Sequence, residues 1–484
     1  MKIRSPSLML AATPMVTMLS LIVVGFTFYD ISIEVLMLAS AIITSGIALY
    51  LGHSWQNIQD SIVDKLKTTL PALFILITVG GIIGSWMVGG TIPFLVYYGL
   101  KIISPEYLLV TSFLVCCIVS LCTGTSWGSA GTIGVALMGV AIGMDVALAP
   151  VAGAVVSGAY FGDKISPLSD TTNFAPVVAG TDLYSHIKHL LWTTIPGFII
   201  SIIVFTMMGS SDLVSGAATP EKVTAILSNL DELFNLNIFL LLPPILVLGG
   251  AVKKLPTVPL MLGACIIAIF NAVVFQGFDL TTATTAFLKG FSGDMFQDLG
   301  LSSSAVIPDV SKLVNRGGLS SMMGTILLVF CAFSFAGAMA VTGGLNVIVN
   351  KIAKGINSVT SLIGATLATT ILVVGTTSDG KLALLLPSEL FRDLYKKMKL
   401  DPVNLSRSTE DAGTVIEPLI PWTSAGIFMA TTLGVPTLSY LPWAVQCYTG
   451  IIFAMIWAVT GKGIKYLKEA ENEEYAGVEN NVTV

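Results

Sequence analysis

The chain has 484 residues, of which 54% are hydrophobic and 11% are charged, and its mean hydropathy is +0.85. These values exclude a soluble globular protein and are typical of a chain that crosses a membrane many times. The formal net charge of −5 gives no indication of nucleic-acid binding, and the six cysteines lack metal-ligand spacing. We therefore predict an all-α polytopic membrane protein that has no nucleic-acid partner and no cofactor.

Residues 1–210 are predicted to form the first of two structural repeats. The full spans, each long enough to cross a bilayer, lie at about 8–28, 33–51, 70–88 and 186–208. The polar segment 53–69 before the third span is predicted to be an amphipathic surface helix. Two apolar arms of about 13 to 15 residues follow the third span, and they are too short to cross alone. They predict a re-entrant helical hairpin at about 107–143, with the Gly/Ser/Thr-rich segment around Thr125 and Ser126 at its tip.

The stretch Phe161–Pro176 is unusual because it places charged residues and two prolines between apolar segments. It predicts a helix that is broken within about 148–180. In lipid, irregular backbone persists only where protein or a water-filled cavity surrounds it, and ionisable groups at that depth mark functional sites. Asp163, Lys164 and Asp170 are therefore expected near a hydrated site inside the membrane.

Residues 236–462 repeat this order of elements. Their predicted elements are spans at about 237–250, 256–275, 318–341 and 441–460, a hairpin at about 359–391 and a broken helix at about 405–430. Landmarks recur with an offset near 250 residues, which indicates an internal duplication. Gly124 and Gly375 are 251 residues apart, and Asp163 and Asp411 are 248 residues apart.

The placement of lysine and arginine predicts the orientation of the chain. Each repeat contributes five crossings, an odd number, so the second repeat is expected to be inverted relative to the first. With both termini in the cytoplasm, 17 of the 24 lysine and arginine residues fall on the cytoplasmic side. This orientation puts His186 and His189 at a cytoplasmic helix start, and we do not expect them to be ligands. We predict a multi-pass protein of the bacterial cytoplasmic (inner) membrane, with an extracytoplasmic linker at 211–235, a polar connection at 276–317 and a cytoplasmic tail at 463–484.

Secondary transporters bind their substrates where hairpins and broken helices of inverted repeats meet. A broken helix exposes backbone N–H and C=O groups, and carbonyl, hydroxyl and carboxylate oxygens suit a hard cation such as Na⁺. The candidate ion- or substrate-binding residues are Thr125, Ser126, Asp163, Ser169, Asp170, Thr171, Thr172, Asn173, Thr376, Thr377, Ser378, Asp379, Glu410, Asp411, Thr414 and Glu417. Of these, Asp163, Asp170 and Asp411 are the predicted Na⁺ ligands. The alternative is that the polar side chains beside the prolines only cap helices, with Lys164 neutralising Asp163 or Asp170.

Three motifs resemble those of the NhaC-type Na⁺/H⁺ antiporters: GTSWGSAGTIG at 124–134, SGAYFGDKISPLSDTTNFAPVVAGTDLYSHIKH at 157–189, and LSRSTEDAGTVIEPLIPW at 405–422. The resemblance extends from about residue 60 to residue 445. It implies the wider ion-transporter superfamily fold of two inverted five-span repeats with re-entrant hairpins, and Na⁺ extrusion against inward H⁺ movement. The positions that match the motifs of the family are Asp163, Ser169, Asp170, Thr171, Thr172 and Asn173 in the first half, and Glu410, Asp411, Gly413 and Thr414 in the second.

The second half departs from the family pattern after Trp422, where Thr423-Ser424-Ala425 follow. Lys381 and Glu417 are further charged residues that the pattern lacks. Some members of the family exchange malate and lactate, so Lys381 is either a partner for a substrate carboxylate or the ion-pair partner of Asp379. The runner-up function is therefore a Na⁺- or H⁺-coupled exchanger of small organic ions.

Two other functional classes are less well supported. The sequence contains no motif of an intramembrane enzyme, and duplicated broken helices favour alternating access over a passive channel. Na⁺, H⁺ and membrane lipid are the expected partners, with a small organic ion and a homodimer as further options.

Overall fold

A computed structural model describes residues 3–29, 31–209, 219–302 and 305–467. Within these ranges the chain forms 23 α-helices joined by turns and short 3₁₀ segments, and its extended pairings are two isolated bridges. Nine of the described helices are long and apolar enough to cross a membrane, or up to eleven spans if each of two bent helix pairs counts as one. The prediction of an all-α polytopic membrane protein is confirmed.

The first half of the chain contains ten helices, α1 to α10. Their bounds are α1 Leu8–Tyr29, α2 Ile33–Tyr50, α3 Trp55–Val88, α4 Thr91–Ile102, α5 Leu108–Thr123, α6 Ser126–Ser129, α7 Val135–Gly143, α8 Leu148–Ile165, α9 Asp170–Ala179 and α10 Leu183–Gly209. A short π-helical segment, Ala130–Gly134, joins α6 to α7. The first predicted hairpin corresponds to α5, α6 and α7, and the first broken helix to α8 and α9.

The rest of the chain contains α11 to α23. Their bounds are α11 Pro220–Leu233, α12 Leu242–Val252, α13 Thr257–Val274, α14 Leu280–Lys289, α15 Pro308–Val314, α16 Met323–Thr342, α17 Gly344–Ala353, α18 Val359–Thr377, α19 Gly380–Lys397, α20 Val403–Ala412, α21 Ser424–Leu433, α22 Thr437–Tyr440 and α23 Val445–Thr460. The order of elements resembles that of the first half, and the inverted relation of the two halves stays a prediction.

Several segments differ from the sequence-based expectations. The linker predicted at 211–235 contains α11, while its residues 211–218 lie outside the described residues, as do residues 468–484 of the predicted tail. The polar connection predicted at 276–317 contains α14 and α15, and α14 packs against α3. Its small side chains face α3, which explains why a polar sequence is folded there: Ala283 and Ala286 are fully buried.

The predicted surface helix and the third span form a single 34-residue helix, α3. Ser54 begins it by accepting a hydrogen bond from the backbone N–H of Asn57. Pro71 lies within the helix without ending it, because a proline removes one backbone hydrogen bond and neighbouring helices can still support the segment. At about 1.5 Å per residue, a helix of this length reaches well beyond the roughly 30 Å hydrocarbon layer.

The first hairpin also differs from its prediction. Pro105–Thr123 has 19 residues and Ser126–Gly143 has 18, and both segments are long enough to count as candidate spans. The arms are longer than the sequence suggested because a 3₁₀ turn extends the first arm and the π-helical segment lies within the second. Arm length therefore gives no support to re-entry, and the re-entrant path stays a prediction.

The helices pack as two groups. In one group α2, α3, α13, α14 and α16 are neighbours, and in the other α5, α8, α10 and α23 pack together with α9, α18, α19 and α20. Close packing in the second group depends on glycine. A Cβ on Gly158 would lie 2.3 Å from the carbonyl oxygen of Phe113, and one on Gly162 would lie 2.5 Å from that of Cys117. The backbones of α5 and α8 are thus in direct contact, the arrangement that small residues permit between membrane helices.

Both broken helices are interrupted in the manner their sequences suggest. α8 ends at Ile165 because Ser166 precedes Pro167 and adopts an extended backbone. Ser169 then begins α9 by accepting a hydrogen bond from the N–H of Thr172. In the second half, α20 ends at Ala412 and α21 begins at Ser424, with an irregular segment between them. α9 packs against α19 and α20, so each interruption lies beside an element of the other half.

Candidate functional site

A cavity of about 550 Å³ lies between the two hairpins, the two interruptions, α3 and the α12–α13 turn. Ten of the predicted site residues line it: Thr125, Ser126, Asp163, Asp170, Thr171, Ser378, Asp379, Glu410, Thr414 and Glu417. Lys164, Lys254 and Lys381 also lie on its wall. The cavity reaches the protein surface where the lining residues Thr68, Asp170, Lys254 and Lys381 are exposed. Residues that are far apart in the sequence thus surround one space.

Asp163 lies in the last turn of α8 and is held by the tip of the first hairpin. Its Oδ2 accepts hydrogen bonds from the backbone N–H of Ser126 at 3.1 Å and from the Ser126 hydroxyl at 2.8 Å. Thr125 begins α6 at this tip, and Gly124 before it has a φ of +67° that permits the sharp turn. Oδ1 of Asp163 is buried and has no hydrogen-bond partner among the described residues. One carboxylate oxygen of Asp163 is therefore available to a ligand.

Glu410 occupies the corresponding place near the end of α20. Its Oε1 accepts a hydrogen bond from the Thr414 hydroxyl at 2.7 Å. Its Oε2 is buried and, within the part of the chain that the structure covers, makes no hydrogen bond. Buried polar atoms are rarely left unsatisfied, so this oxygen is also available for a proton or a cation. Asp163 and Glu410 present these oxygens from opposite halves of the chain.

Lys164 and Asp411 follow these two acidic residues and form an ion pair between α8 and α20. Their side chains are 2% and 0% exposed. Asp411 Oδ1 also accepts a hydrogen bond from the Thr193 hydroxyl of α10 at 3.1 Å. Lys164 lies on the cavity wall, whereas Asp411 is behind it. In this conformation, Asp411 neutralises Lys164, and its predicted role as a Na⁺ ligand stays a prediction.

Glu417 joins the second interruption to the tip of the second hairpin. Its Oε1 accepts hydrogen bonds from the Ser424 hydroxyl at 2.8 Å and from the Ala425 N–H at 3.3 Å. The Ser424 hydroxyl also lies 3.2 Å from the carbonyl oxygen of Ser378. Space is tight here, because a Cβ on Gly380 would lie 2.5 Å from Oε2 of Glu417. The acidic side chain thus links α21 to the hairpin turn on the cavity wall.

Asp170 and Lys381 pair across the cavity, with Oδ2 and Nζ 2.7 Å apart. Both side chains are more than half exposed, at 71% and 58%. The Lys381–Asp379 pair, one of the two alternatives given for Lys381, was wrong, because the Asp379 carboxylate has another role. Its Oδ1 caps α19 by accepting hydrogen bonds from the backbone N–H groups of Lys381 and Leu382. Asp170 begins α9, so this ion pair joins the first interruption to the second hairpin.

The remaining predicted site residues hold the local backbone. The Thr172 hydroxyl donates to the carbonyl oxygens of Asp163 and Lys164, and the Asn173 amide donates to the carbonyl oxygens of the Pro167–Ser169 turn. Ser169, Thr172, Asn173, Thr376, Thr377 and Asp411 are the candidates that the cavity wall does not include. Thr376 and Thr377 border a separate cavity of about 170 Å³ behind the second hairpin. The structure therefore divides the candidates into cavity-lining and supporting groups.

Sequence reasoning did not identify the polar contacts between α10 and α20. His186 and His189, assigned to a cytoplasmic helix start, are 0% and 6% exposed. Nδ1 of His186 lies 2.8 Å from the Ser406 hydroxyl, and Nε2 of His189 lies 3.2 Å from Oδ1 of Asn404. A usable signal was present, because His186, His189 and Thr193 have the i, i+3, i+7 spacing of one helix face.

The donors around the cavity are oxygen atoms of carboxylate and hydroxyl groups. In the described ranges, no group of three or more His, Cys, Asp or Glu side chains is arranged to hold a metal ion. The available groups are single carboxylate oxygens with hydroxyl groups beside them, the donor type that hard cations accept.

A sequence model of the Na⁺/H⁺ antiporter family matches residues 158–462, which include both helix interruptions and the second hairpin. The chain belongs to this Na⁺/H⁺ antiporter family. The antiporter is 49% identical to an uncharacterised Na⁺/H⁺ antiporter of Haemophilus influenzae, over 96% of this chain and 98% of that protein. It is 39% identical to the Na⁺/H⁺ antiporter NhaC of Alkalihalophilus pseudofirmus, over 92% and 94% of the two chains.

A third relative is named for a different activity. The malate-2H⁺/Na⁺-lactate antiporter of Bacillus subtilis is 35% identical to this antiporter, over 92% of this chain and 93% of that protein. Together these relatives confirm the resemblance to NhaC-type antiporters. They establish that the protein is a multi-pass membrane transporter and not an enzyme.

Proposed function

We propose that this antiporter exchanges cytoplasmic Na⁺ for external H⁺ by alternating access in the bacterial inner membrane, with both termini in the cytoplasm. One observation carries the proposal. Asp163 and Glu410 lie on the wall of the same cavity, and each has a buried carboxylate oxygen without a hydrogen-bond partner in the described chain. A transported cation can bind such an oxygen, and a proton can neutralise it.

Competition at these carboxylates supplies the exchange chemistry. An ionised carboxylate attracts Na⁺, and protonation removes the charge that holds the ion. Ser126 anchors Asp163, and Thr414 anchors Glu410, so each free oxygen has a fixed position. If Na⁺ and H⁺ exclude each other at the site, a conformational change that moves the loaded site across the membrane carries one ion each way.

The position of the cavity opening supports binding of Na⁺ and release of H⁺ on the cytoplasmic side. Its mouth lies at the α12–α13 turn with Lys254, and α3 contributes Thr68. These residues belong to segments that the lysine and arginine distribution assigns to the cytoplasm. With that orientation, the present conformation is inward-open. The outward-open state follows if the two halves are inverted repeats, which we propose on the basis of the recurring element order.

The deciding experiment is a flux assay in proteoliposomes that hold an imposed pH gradient. Addition of Na⁺ should dissipate the gradient when the wild-type protein is present. Asp163→Asn and Glu410→Gln should each abolish this response, while Asp393→Asn, which changes an exposed acidic residue of α19, should retain it. Li⁺ and K⁺ in the same assay define the selectivity. Wild-type protein that is folded and reconstituted yet shows no Na⁺-evoked H⁺ flux would end the proposal.

A second candidate is a Na⁺- or H⁺-coupled exchanger of small organic ions. It is favoured by the ammonium groups of Lys254 and Lys381 on the cavity wall and by the cavity volume of about 550 Å³, which is within the range of small-molecule sites. The Bacillus subtilis relative named as a malate/lactate antiporter supports it as well. Counterflow of labelled malate and lactate in the same vesicles separates the two candidates.

A further inference from the structure

The contact between α10 and α20 is polar, although the side chains that form it are buried. Three pairs cross it: Thr193 with Asp411, His186 with Ser406, and His189 with Asn404, at 3.1, 2.8 and 3.2 Å. On α20, Asn404, Arg407 and Asp411 have the i, i+3, i+7 spacing of a single face. The α10–α20 polar column is our name for six residues: His186, His189, Thr193, Asn404, Arg407 and Asp411.

Burial of the polar column is unexpected for a structural interface. Arg407 is 0% exposed, and so is His186. Helices in a membrane pack well through small apolar residues, and a charged side chain in that setting costs about 3 kcal/mol on insertion scales. Packing alone does not require charged and polar side chains here, so their presence needs another explanation.

The polar column contains atoms that other side chains leave unsatisfied. Nε and Nη2 of Arg407, Nε2 of His186 and Oδ2 of Asp411 are buried without hydrogen-bond partners in the ranges that the structure describes. Arg407 and Asp411 are one helical turn apart, and His186 contacts Ser406 beside them. Buried polar groups of this kind are normally satisfied by ordered water. The column therefore contains four buried polar atoms that other side chains leave unpartnered.

The two ends of the polar column lead to different places. At one end Asp411 pairs with Lys164, which lies on the cavity wall. At the other end Asn404 donates to the carbonyl oxygen of Lys465 at 2.6 Å, and Arg407 donates to that of Gly463 at 2.7 Å. Lys465 is exposed. Buried polar pairs thus lie between the Lys164–Asp411 pair and the exposed Lys465, which is not on the cavity wall.

We propose that the α10–α20 polar column is a proton pathway between the Lys164–Asp411 pair and the cytoplasmic surface, separate from the route that Na⁺ takes through the cavity mouth. The proposal rests on the Na⁺/H⁺ exchange proposed above. A proton leaving the cavity carboxylates passes through the ion pair and the column to water at Lys465, and the reverse path returns it.

Other ionisable groups lie beside the polar column. Tyr395 of α19 and Glu410 of α20 lie beside it, and at its surface end Asp401 pairs with Lys465 at 2.7 Å. None of them is required to change charge for protons to move, because hydrogen-bonded water and imidazole can relay a proton and regain their starting state after reorientation.

The test compares two exchange reactions of the same reconstituted protein. Na⁺/H⁺ exchange is measured as Na⁺-evoked dissipation of a pH gradient, and Na⁺/Na⁺ exchange as uptake of radioactive Na⁺ against unlabelled Na⁺ inside the vesicles. The double variant His186→Gln/His189→Gln retains polar side chains but loses both imidazoles. We expect its Na⁺/H⁺ exchange to fall about tenfold or more, the scale of a lost proton-transfer group. We expect its Na⁺/Na⁺ exchange to stay within about twofold of wild type, because the cavity is intact.

His53→Gln is the matched control, because His53 is the remaining histidine of the chain and lies outside the column. Arg407→Lys provides a second variant that keeps the positive charge and removes the guanidinium donors, and it should show the same selective loss. Equal loss of both exchange reactions in the variants would assign a structural role to the column and overturn the proposal. Unchanged Na⁺/H⁺ exchange in a well-folded double variant would also overturn the proposal.

The same assay separates this proposal from the function on which it rests. Wild-type protein that lacks Na⁺/H⁺ exchange would refute the proposed function and the pathway together. Wild-type protein that exchanges Na⁺ for H⁺, with a double variant that does so equally well, would refute only the pathway.

Discussion

Lys164 on α8 and Asp411 on α20 form a buried ion pair between the two halves of the chain, and 247 residues separate them. The same number separates Asp163 from Glu410, which precede them in the sequence. Each interrupted helix therefore carries an acidic group that faces the cavity and, next to it, one member of the pair that joins the halves.

Removal of one member of this ion pair should destabilise the protein more than removal of both. Lys164→Met leaves the Asp411 carboxylate buried without its counter-ion, and a broken buried pair costs about 3–5 kcal/mol. The double variant Lys164→Met/Asp411→Leu leaves no buried charge at these positions and should recover much of the loss. Thermal unfolding in detergent of the two single variants and the double variant measures the coupling. Additive effects would show that the pair contributes no coupling energy.

The Ser126 hydroxyl should tune the affinity for Na⁺ without being essential. Ser126→Ala removes the 2.8 Å hydrogen bond to Asp163 but keeps the backbone N–H contact at 3.1 Å. A hydrogen bond to a charged group contributes about 1.5–3 kcal/mol, so the Na⁺ concentration for half-maximal flux should change by about tenfold or more. Ser129→Ala is the control, because its hydroxyl donates to the backbone of Thr125 and not to the carboxylate. Equal shifts in the two variants would contradict the assignment.

Gly380→Ala should impair transport, whereas Gly375→Ala in the same hairpin should be tolerated. A Cβ on Gly380 would lie 2.5 Å from Oε2 of Glu417, while one on Gly375 would have no heavy atom of the described residues within 4 Å. The first substitution must displace the Glu417 side chain that holds Ser424. The second replaces glycine within a helix and should be neutral or stabilise by up to about 1 kcal/mol. Na⁺-evoked H⁺ flux and thermal unfolding of both variants check the difference.

Asp170→Asn should affect transport less than Asp163→Asn. Asp170 is 71% exposed and pairs with Lys381, so its charge is screened by water and a nearby cation, and such a pair contributes at most about 1 kcal/mol to stability. Lys381→Ala should likewise leave the protein stably folded. Dose–response curves for Na⁺ in the flux assay compare the three variants. Complete loss of flux in Asp170→Asn, with normal folding, would show that Asp170 is an essential ligand and restore its predicted place beside Asp163.

The sequence predicted the helical membrane fold and many residues of the cavity wall because both have local signals. Apolar segments of sufficient length indicate spans, and the Pro167 turn beside Asp163 and Asp170 indicates an interruption inside one of them. The departures also had local causes. Pro71 did not end α3, since a single lost hydrogen bond does not break a supported helix.

Tertiary pairing was beyond sequence reasoning, because the partner of a charged residue depends on how helices are aligned. The alternative interpretation of the sequence paired Lys164 with Asp163 or Asp170, yet it pairs with Asp411 of the other half. Lys381 was considered as a partner of Asp379, two residues away, but the Asp379 carboxylate binds the backbone at the start of α19. Short sequence separation suggested both pairings. The alignment of the helices instead brings each lysine to a different carboxylate.

The direct contact of α5 with α8 at Gly158 and Gly162 has a mechanical consequence. Two helices whose main chains touch over successive turns cannot slide past one another without a steric clash, so they should travel as one rigid unit during the transport cycle. Asp163 lies on α8, and Ser126 lies at the hairpin turn that follows α5. The hydrogen bond between them would then keep its geometry in every state. The rearrangement that changes access must take place along other, less interlocked surfaces.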